Sequence, residues 1–188
     1  MFGVSLLDHL RMTFGHVVFR YKAHTQLARS RTRWSRALRA LEAILMIGVA
    51  VAAVGAAFGK GPVYTIVSAV LAVLALATLL LHLTFDLERS AQAHASCATE
   101  LWQIREQYRA VLSDFSDGAL DLEAVRRRRD QLMEDLHDIY QSAPFADAQI
   151  YSSASRGVAV VDEAALTDEE IDLFLPKSLH KAEKSTAA

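Results

Sequence analysis

Two uncharged apolar stretches, only four residues apart, limit what this chain can fold into more than any other feature. From Ala43 to Gly59 every residue is apolar or small, and from Val63 to Leu81 the only polar groups are Tyr64, Thr65, Ser68 and Thr78. A helix rises about 1.5 Å per residue, so each stretch approaches the roughly 20 residues that cross a hydrocarbon layer about 30 Å thick. Between them, Gly59-Lys60-Gly61-Pro62 supplies a helix stop, one charge and a restart, which leaves room only for a tight turn. These features predict an all-α membrane protein built on a two-helix transmembrane hairpin, with spans at about 40–59 and 63–85. The competing reading is a soluble protein with a buried helical hairpin, which uncharged runs of this length disfavour.

Charge sets the orientation. Residues 1–41 carry eight Lys or Arg against one acid, a net of +7, and residues 86–188 carry eleven against twenty, a net of −9. Lys22, Arg29, Arg31, Arg33, Arg36 and Arg39 precede the first span, and basic residues flanking a span stay cytoplasmic. The Lys60 turn is then expected to face outward, with both chain ends on the cytoplasmic side. About forty residues of charged, helix-patterned sequence precede the first stretch, so it reads as a retained span rather than a secretory signal. Arg29, Arg31, Arg33, Trp34, Arg36 and Arg39 are the candidate contacts to anionic headgroups, with Trp34 as an interfacial anchor. Nucleic-acid binding by this basic segment is the weaker alternative, given its proximity to a span. Arg39 and Glu42, three residues apart, are expected to pair.

The two spans differ in character. At 100° per residue, Gly48, Ala52, Gly55 and Gly59 fall within an arc of roughly 60°, a candidate helix-packing seam where backbones approach closely. That seam either closes the hairpin on itself or joins neighbouring subunits. In the second span Thr65, Ser68, Ala72, Ala75, Thr78 and His82 share a small, mildly polar face. Such a face could line a water-filled path between several copies, but its hydroxyls can equally return to their own helix carbonyls.

The flanks carry helical periodicity. Leu6, Leu10, Phe14, Val17, Val18 and Tyr21 predict a long amphipathic helix from about Ser5 towards the first span. Ala91, Ala95, Ala98, Leu101, Trp102, Arg105, Tyr108 and Leu112 predict that the second span continues as one rod up to Ser116-Asp117-Gly118. A further helix with Leu122, Val125, Leu132, Leu136 and Ile139 on one face folds back on it and ends near Pro144. The tail is expected to add a short helix through Tyr151 and Ala154, and another opened by the capping box Thr167-Asp168-Glu169-Glu170. The resulting division is 1–36, a basic amphipathic helix; 37–85, the hairpin; 86–143, a cytoplasmic helical pair; and 144–188, short helices and a frayed end.

No chemistry of bond-making is legible. There is no strand-turn-helix phosphate loop, and Arg126 to Arg129 lie mid-helix among Asp130, Glu134, Asp135 and Asp138, as a solvated face does. His9 and His16 are seven apart with no third ligand, a weak metal signal, and Cys97 is the single cysteine. The expectation is no catalytic site, no cofactor and no metal.

The order of features resembles the SLATT family of two-transmembrane effector domains in bacterial conflict systems that use nucleotide signals. The resemblance is carried by RYKAHTQLARSRTRWSRALRALEAIL leading into the first span, by the short-turn hairpin, and by DLERSAQAHASCATELWQIREQYRAVL with RRDQLMEDLHDIYQSAP as a helical pair, over about residues 5–175. It implies a homo-oligomeric inner-membrane effector, pore-forming or membrane-disrupting, that acts in anti-phage defence when a nucleotide-sensing or nucleotide-producing partner triggers it. No residue-level pore assignment comes with the resemblance. A non-conducting membrane adaptor that recruits a soluble partner through its cytoplasmic helices is the alternative.

Overall fold

A computed structural model describes residues 5–59, 62–144 and 167–180, all helical or in connecting turns. The expected turn at Lys60 and the expected short helix through Tyr151 and Ala154 lie outside these residues. Among these residues five α-helices follow one another: α1 (Leu6–Phe58), α2 (Val63–Phe85), α3 (Leu87–Ser116), α4 (Leu122–Ser142) and α5 (Asp168–Asp172), with a 3-10 turn at Lys177–Leu179.

The helix ends follow local chemistry. Ser5 opens α1, its Oγ accepting from the Asp8 backbone N–H at 3.0 Å. Asp121 caps α4 in the same way, accepting from the Ala124 N–H at 2.6 Å. At the end of α3, Gly118 takes the left-handed conformation (φ +69°). The Ala119 N–H then reaches the Asp114 carbonyl at 2.8 Å and the Gly118 N–H the Phe115 carbonyl at 3.2 Å, a Schellman closure that turns the chain into α4. The capping box forms as drawn from the sequence: Thr167 Oγ1 accepts from the Glu170 N–H at 3.3 Å, while the Glu170 carboxylate accepts from the Thr167 N–H at 3.0 Å.

The second span does not run on as one unbroken rod. Asp86 sits at φ 34°, ψ 51°, between α2 and α3. It acts as a new N-cap, its carbonyl accepting from the Ser90 N–H at 3.1 Å and its carboxylate from the Arg89 N–H at 3.3 Å. Aspartate tolerates this conformation and competes for backbone donors. The apolar periodicity carries no sign of such a break.

The chain divides into two compact units, Met1–Leu27 with Ala93–Ala188, and Ala28–Gln92. The first has a continuous core. Leu10, Phe14, Val17 and Val18 of α1 meet Cys97, Leu101, Ile104, Tyr108, Val111 and Leu112 of α3, Val125, Leu132 and Leu136 of α4, Ile171 of α5 and Leu175 just after it. Each large aliphatic or aromatic side chain so buried stabilises by about 1.5–3 kcal/mol. Of the row expected on α3, Ala91, Ala98, Leu101, Tyr108 and Leu112 are buried, whereas Trp102 is 46% exposed and Ile104, outside that row, is buried in its place. The 97, 101, 104, 108, 111 row steps by four and three, the heptad spacing of helices packed side by side.

The second unit is the opposite. Among its described residues Ala52, Ala75, Ala28, Ala91 and Ser35 are buried, and the large apolar side chains of both stretches lie open, including Ile44, Val51, Phe58, Val70 and Leu83. Only 6% of either apolar window is buried within the chain. A core helix of a soluble protein buries such a surface, so here lipid is the solvent that fits it.

Candidate functional site

The hairpin is held by small residues facing larger ones. A Cβ added at Gly48 would lie 3.1 Å from Cδ1 of Leu71, and one at Gly55 would lie 2.7 Å from Cδ1 and 3.0 Å from Cε1 of Tyr64. Gly59 faces the other edge of the same ring, with Cδ2 at 3.1 Å. Ala52, between them, is 6% exposed. The four seam residues Gly48, Ala52, Gly55 and Gly59 thus lie on one side of α1, and the three glycines meet α2 of the same chain. Helices in lipid gain no hydrophobic drive to associate, so this close approach supplies the dispersion contact that holds them.

The face drawn on α2 is divided by that packing. Ala75 is buried and Ser68, Thr78 and His82 are half-buried, whereas Thr65 and Ala72 are exposed. Thr78 donates to the carbonyl of Ala75 at 2.8 Å, and so spends its hydroxyl on its own helix. What remains open on this face is a narrow strip around Thr65 and Ala72.

The basic flank lies along α1 before the first apolar stretch. Arg29, Arg33 and Arg36 are exposed and Trp34 is 64% exposed, as headgroup contacts require. Two of the candidate arginines have partners on the start of α3: Arg31 donates to the Ser90 hydroxyl, and Arg39 pairs with Glu88. The partner expected for Arg39 was Glu42. An exposed intrahelical pair contributes little, and the same guanidinium reaches an acid on a neighbouring helix instead.

Three polar clusters of the first unit were not visible as sites in the sequence. Arg11, 3% exposed, donates to the Leu179 carbonyl and to the Asp172 carboxylate, with Asp168 3.9 Å away. This ties the start of α1 to α5 and the turn after it. Lys22 lies over the Phe174 ring at 3.9 Å and Arg20 over Tyr140 at 4.4 Å. Burial, and then the nearby Arg105, lower the pKa of Lys22. The third cluster is a histidine pair: Nδ1 of His24 on α1 and Nδ1 of His94 on α3 are 3.0 Å apart, and the two residues are 3% and 0% exposed. Burial and then Arg20 hold His24 below its ordinary pKa of 6.5. One turn along α3, burial and then Glu100 push the Cys97 thiol up to about 11.

An uncharged pair of long apolar helices with open sides, preceded by a basic flank, suits a membrane protein with two spans. The sequence matches SLATT family 4, the SMODS and SLOG-associating 2TM effector domain, over residues 6–170. The chain belongs to this family. No curated protein and no solved structure matches it.

The SLATT match begins with α1, takes in the whole hairpin and ends within α5. The apolar stretches of α1 and α2 are long enough to cross a membrane, in keeping with a two-transmembrane family, and the family's description couples the domain to the nucleotide-signalling SMODS and SLOG proteins. The histidine pair had one signal in the SLATT sequence. Leu10, Phe14, Val17, Tyr21 and His24 step along α1 by four and three, and His94, Cys97, Leu101, Ile104 and Tyr108 do the same along α3. Both histidines stand in the register of the core, where an apolar residue is the ordinary occupant.

Proposed function

We propose that this SLATT chain is an oligomeric inner-membrane effector that permeabilises or disrupts the membrane in bacterial anti-phage or conflict defence, after a nucleotide signal or a signalling partner triggers it. The observation that carries the reading is the contrast between the two units. One has a finished core, while the spans of the other leave nearly all of their apolar surface uncovered and meet along a line of small residues. Two helices enclose no lumen, so a conducting path needs several copies, and the open strip around Thr65 and Ala72 is the part of α2 available to line it. The basic flank before the first span supports an orientation with both ends cytoplasmic. Lipid and further copies of the chain are the partners that the hairpin surface suits, and the effector acts without catalysis.

The alternative is a non-conducting adaptor whose helical unit recruits a soluble protein, and it rests on the well-packed α1, α3 and α4 core. Replacement of Thr65, Ser68 and Thr78 together by Leu separates the two. A pore lined by this face loses ion flux and toxicity on triggering. An adaptor keeps its activity in a variant whose protein level, insertion and hairpin stability match the wild type, since it needs no polar face on α2. Retained flux in the triple variant, with protein level and membrane insertion unchanged, would remove Thr65, Ser68 and Thr78 from any conducting path.

A further inference from the structure

The His24–His94 contact has an unusual constraint. Two imidazoles that meet through Nδ1 at 3.0 Å share one hydrogen: one Nδ1–H donates and the other Nδ1 accepts through its lone pair. If both Nδ1 atoms carry hydrogen, two N–H groups point at each other at that distance and the contact is repulsive. The rings are close and tilted, with centroids 5.1 Å apart and 48° between planes, and both residues are shut off from solvent at 3% and 0% exposure. Water therefore cannot screen a charge placed there without the helices moving.

We propose that the His24–His94 pair is a proton-operated clasp between α1 and α3, closed when the imidazoles share one hydrogen across Nδ1 and opened when both become imidazolium. The surrounding charges favour opening in acid. On α1, Arg20 lies one turn before His24 and places a positive field on it. From α4, Tyr140 faces that guanidinium, and from the segment after α5, Phe174 faces the Lys22 ammonium. On α3, Arg105 adds its charge near Lys22, and Glu100 acts on Cys97 next to the pair.

The sign follows from the lowered pKa of His24. The opened chain takes up protons near the ordinary 6.5, the closed chain only at lower pH. Below about 6.5 the opened state thus binds more protons, and the clasp weakens as pH falls. It is at full strength above that value. A histidine device of this kind works between about pH 5 and pH 8, where the imidazole changes charge. The proposal stands on the helical unit alone and does not depend on pore formation.

Cys97 provides the probe. It is the only cysteine of the chain, is 4% exposed and follows His94 by one turn of α3. The full-length protein in detergent micelles is reacted with 4,4′-dithiodipyridine from about pH 8 to about pH 5. Each rate is divided into that of the SDS- and urea-unfolded chain at the same pH, which removes the intrinsic dependence of the thiol and the reagent. The expected result is a fall in Cys97 protection of about tenfold or more, equivalent to about 1.4 kcal/mol, setting in below about pH 6.5. The double variant His24→Asn with His94→Asn keeps an amide donor and acceptor near the two Nδ1 positions and does not titrate, and its protection should be independent of pH. Constant protection in the wild-type chain overturns the proposal, and so does an equal fall in the double variant. Should the variant fail to fold, wild-type hydrogen exchange decides: loss of protection in acid, corrected for intrinsic rates, is expected in both α1 around His24 and α3 around His94. Retention of protection in either overturns the clasp.

Discussion

Substitution of Gly55 in the presence and absence of the Tyr64 ring tests how the hairpin is held. A Cβ at position 55 falls 2.7 Å from Cδ1, 3.0 Å from Cε1 and 3.1 Å from Cγ of Tyr64, well inside the roughly 3.5–4.0 Å at which carbon atoms attract. Alanine there forces the ring to turn or the helices to part, and overpacking of this kind costs about 1–3 kcal/mol. Against it stands the about 1 kcal/mol that alanine gains over glycine inside a helix. Gly55→Ala alone should therefore destabilise by about 0–2 kcal/mol. In a Tyr64→Ala background the obstacle is absent, only the helix preference remains, and the same change should stabilise by about 1 kcal/mol. Unfolding of the four proteins of this double-mutant cycle, followed by circular dichroism in mixed micelles of rising SDS fraction, should give a coupling of about 1–3 kcal/mol. An identical effect of Gly55→Ala in both backgrounds refutes the Tyr64 contact as the reason for glycine. Unchanged stability with a smaller oligomer places the seam between subunits instead.

Other outcomes follow from the helical unit. Arg11→Ala leaves the Asp172 carboxylate, 17% exposed, without its guanidinium. It should destabilise the docking of residues 168–180 by about 3 kcal/mol, read as faster hydrogen exchange there. Unchanged exchange would mean that Ile171 and Leu175 suffice. The Tyr108 hydroxyl is buried with no hydrogen-bond partner among the described residues, and burial raises its pKa. Tyr108→Phe should thus be neutral or stabilising by up to about 1 kcal/mol in thermal melts, and a loss of more than that would reveal a partner for the hydroxyl. Leu101→Ala, at a position fully shielded from solvent, should cost about 2–5 kcal/mol, whereas Trp102→Ala next to it, 46% exposed, should cost markedly less in the same melts. The reverse order would contradict the burial of Leu101 and the exposure of Trp102.

Much of this architecture is legible in the sequence because the signals are one-dimensional. Absence of charge over a long run marks the hairpin, and Gly118, Asp121 and the Thr167–Glu170 box mark helix ends through chemistry local to a few residues. The limits of such reading are equally physical. The stripe on α3 holds at Ala91, Ala98, Leu101, Tyr108 and Leu112 and differs at its edge, where only a partner helix decides between Trp102 and Ile104. The interruption at Asp86 rests on one left-handed residue among helix formers. Arg39 chose Glu88 over Glu42, and Arg11 and Asp172 meet across 161 positions, contacts that exist only once helices pack. The division of the α2 face, with Ala75 covered and Thr65 open, likewise depends on which side of α2 turns to the glycines of α1.

The most direct test of the effector reading is the membrane potential of bacterial cells that express the full chain together with a SMODS nucleotide-signalling protein, followed with a potential-sensitive dye. The potential should collapse when both are present, hold with either alone, and hold when Thr65, Ser68 and Thr78 are all Leu. A potential that stays intact in cells where the signalling protein is active and the chain is inserted in the membrane would contradict the effector reading.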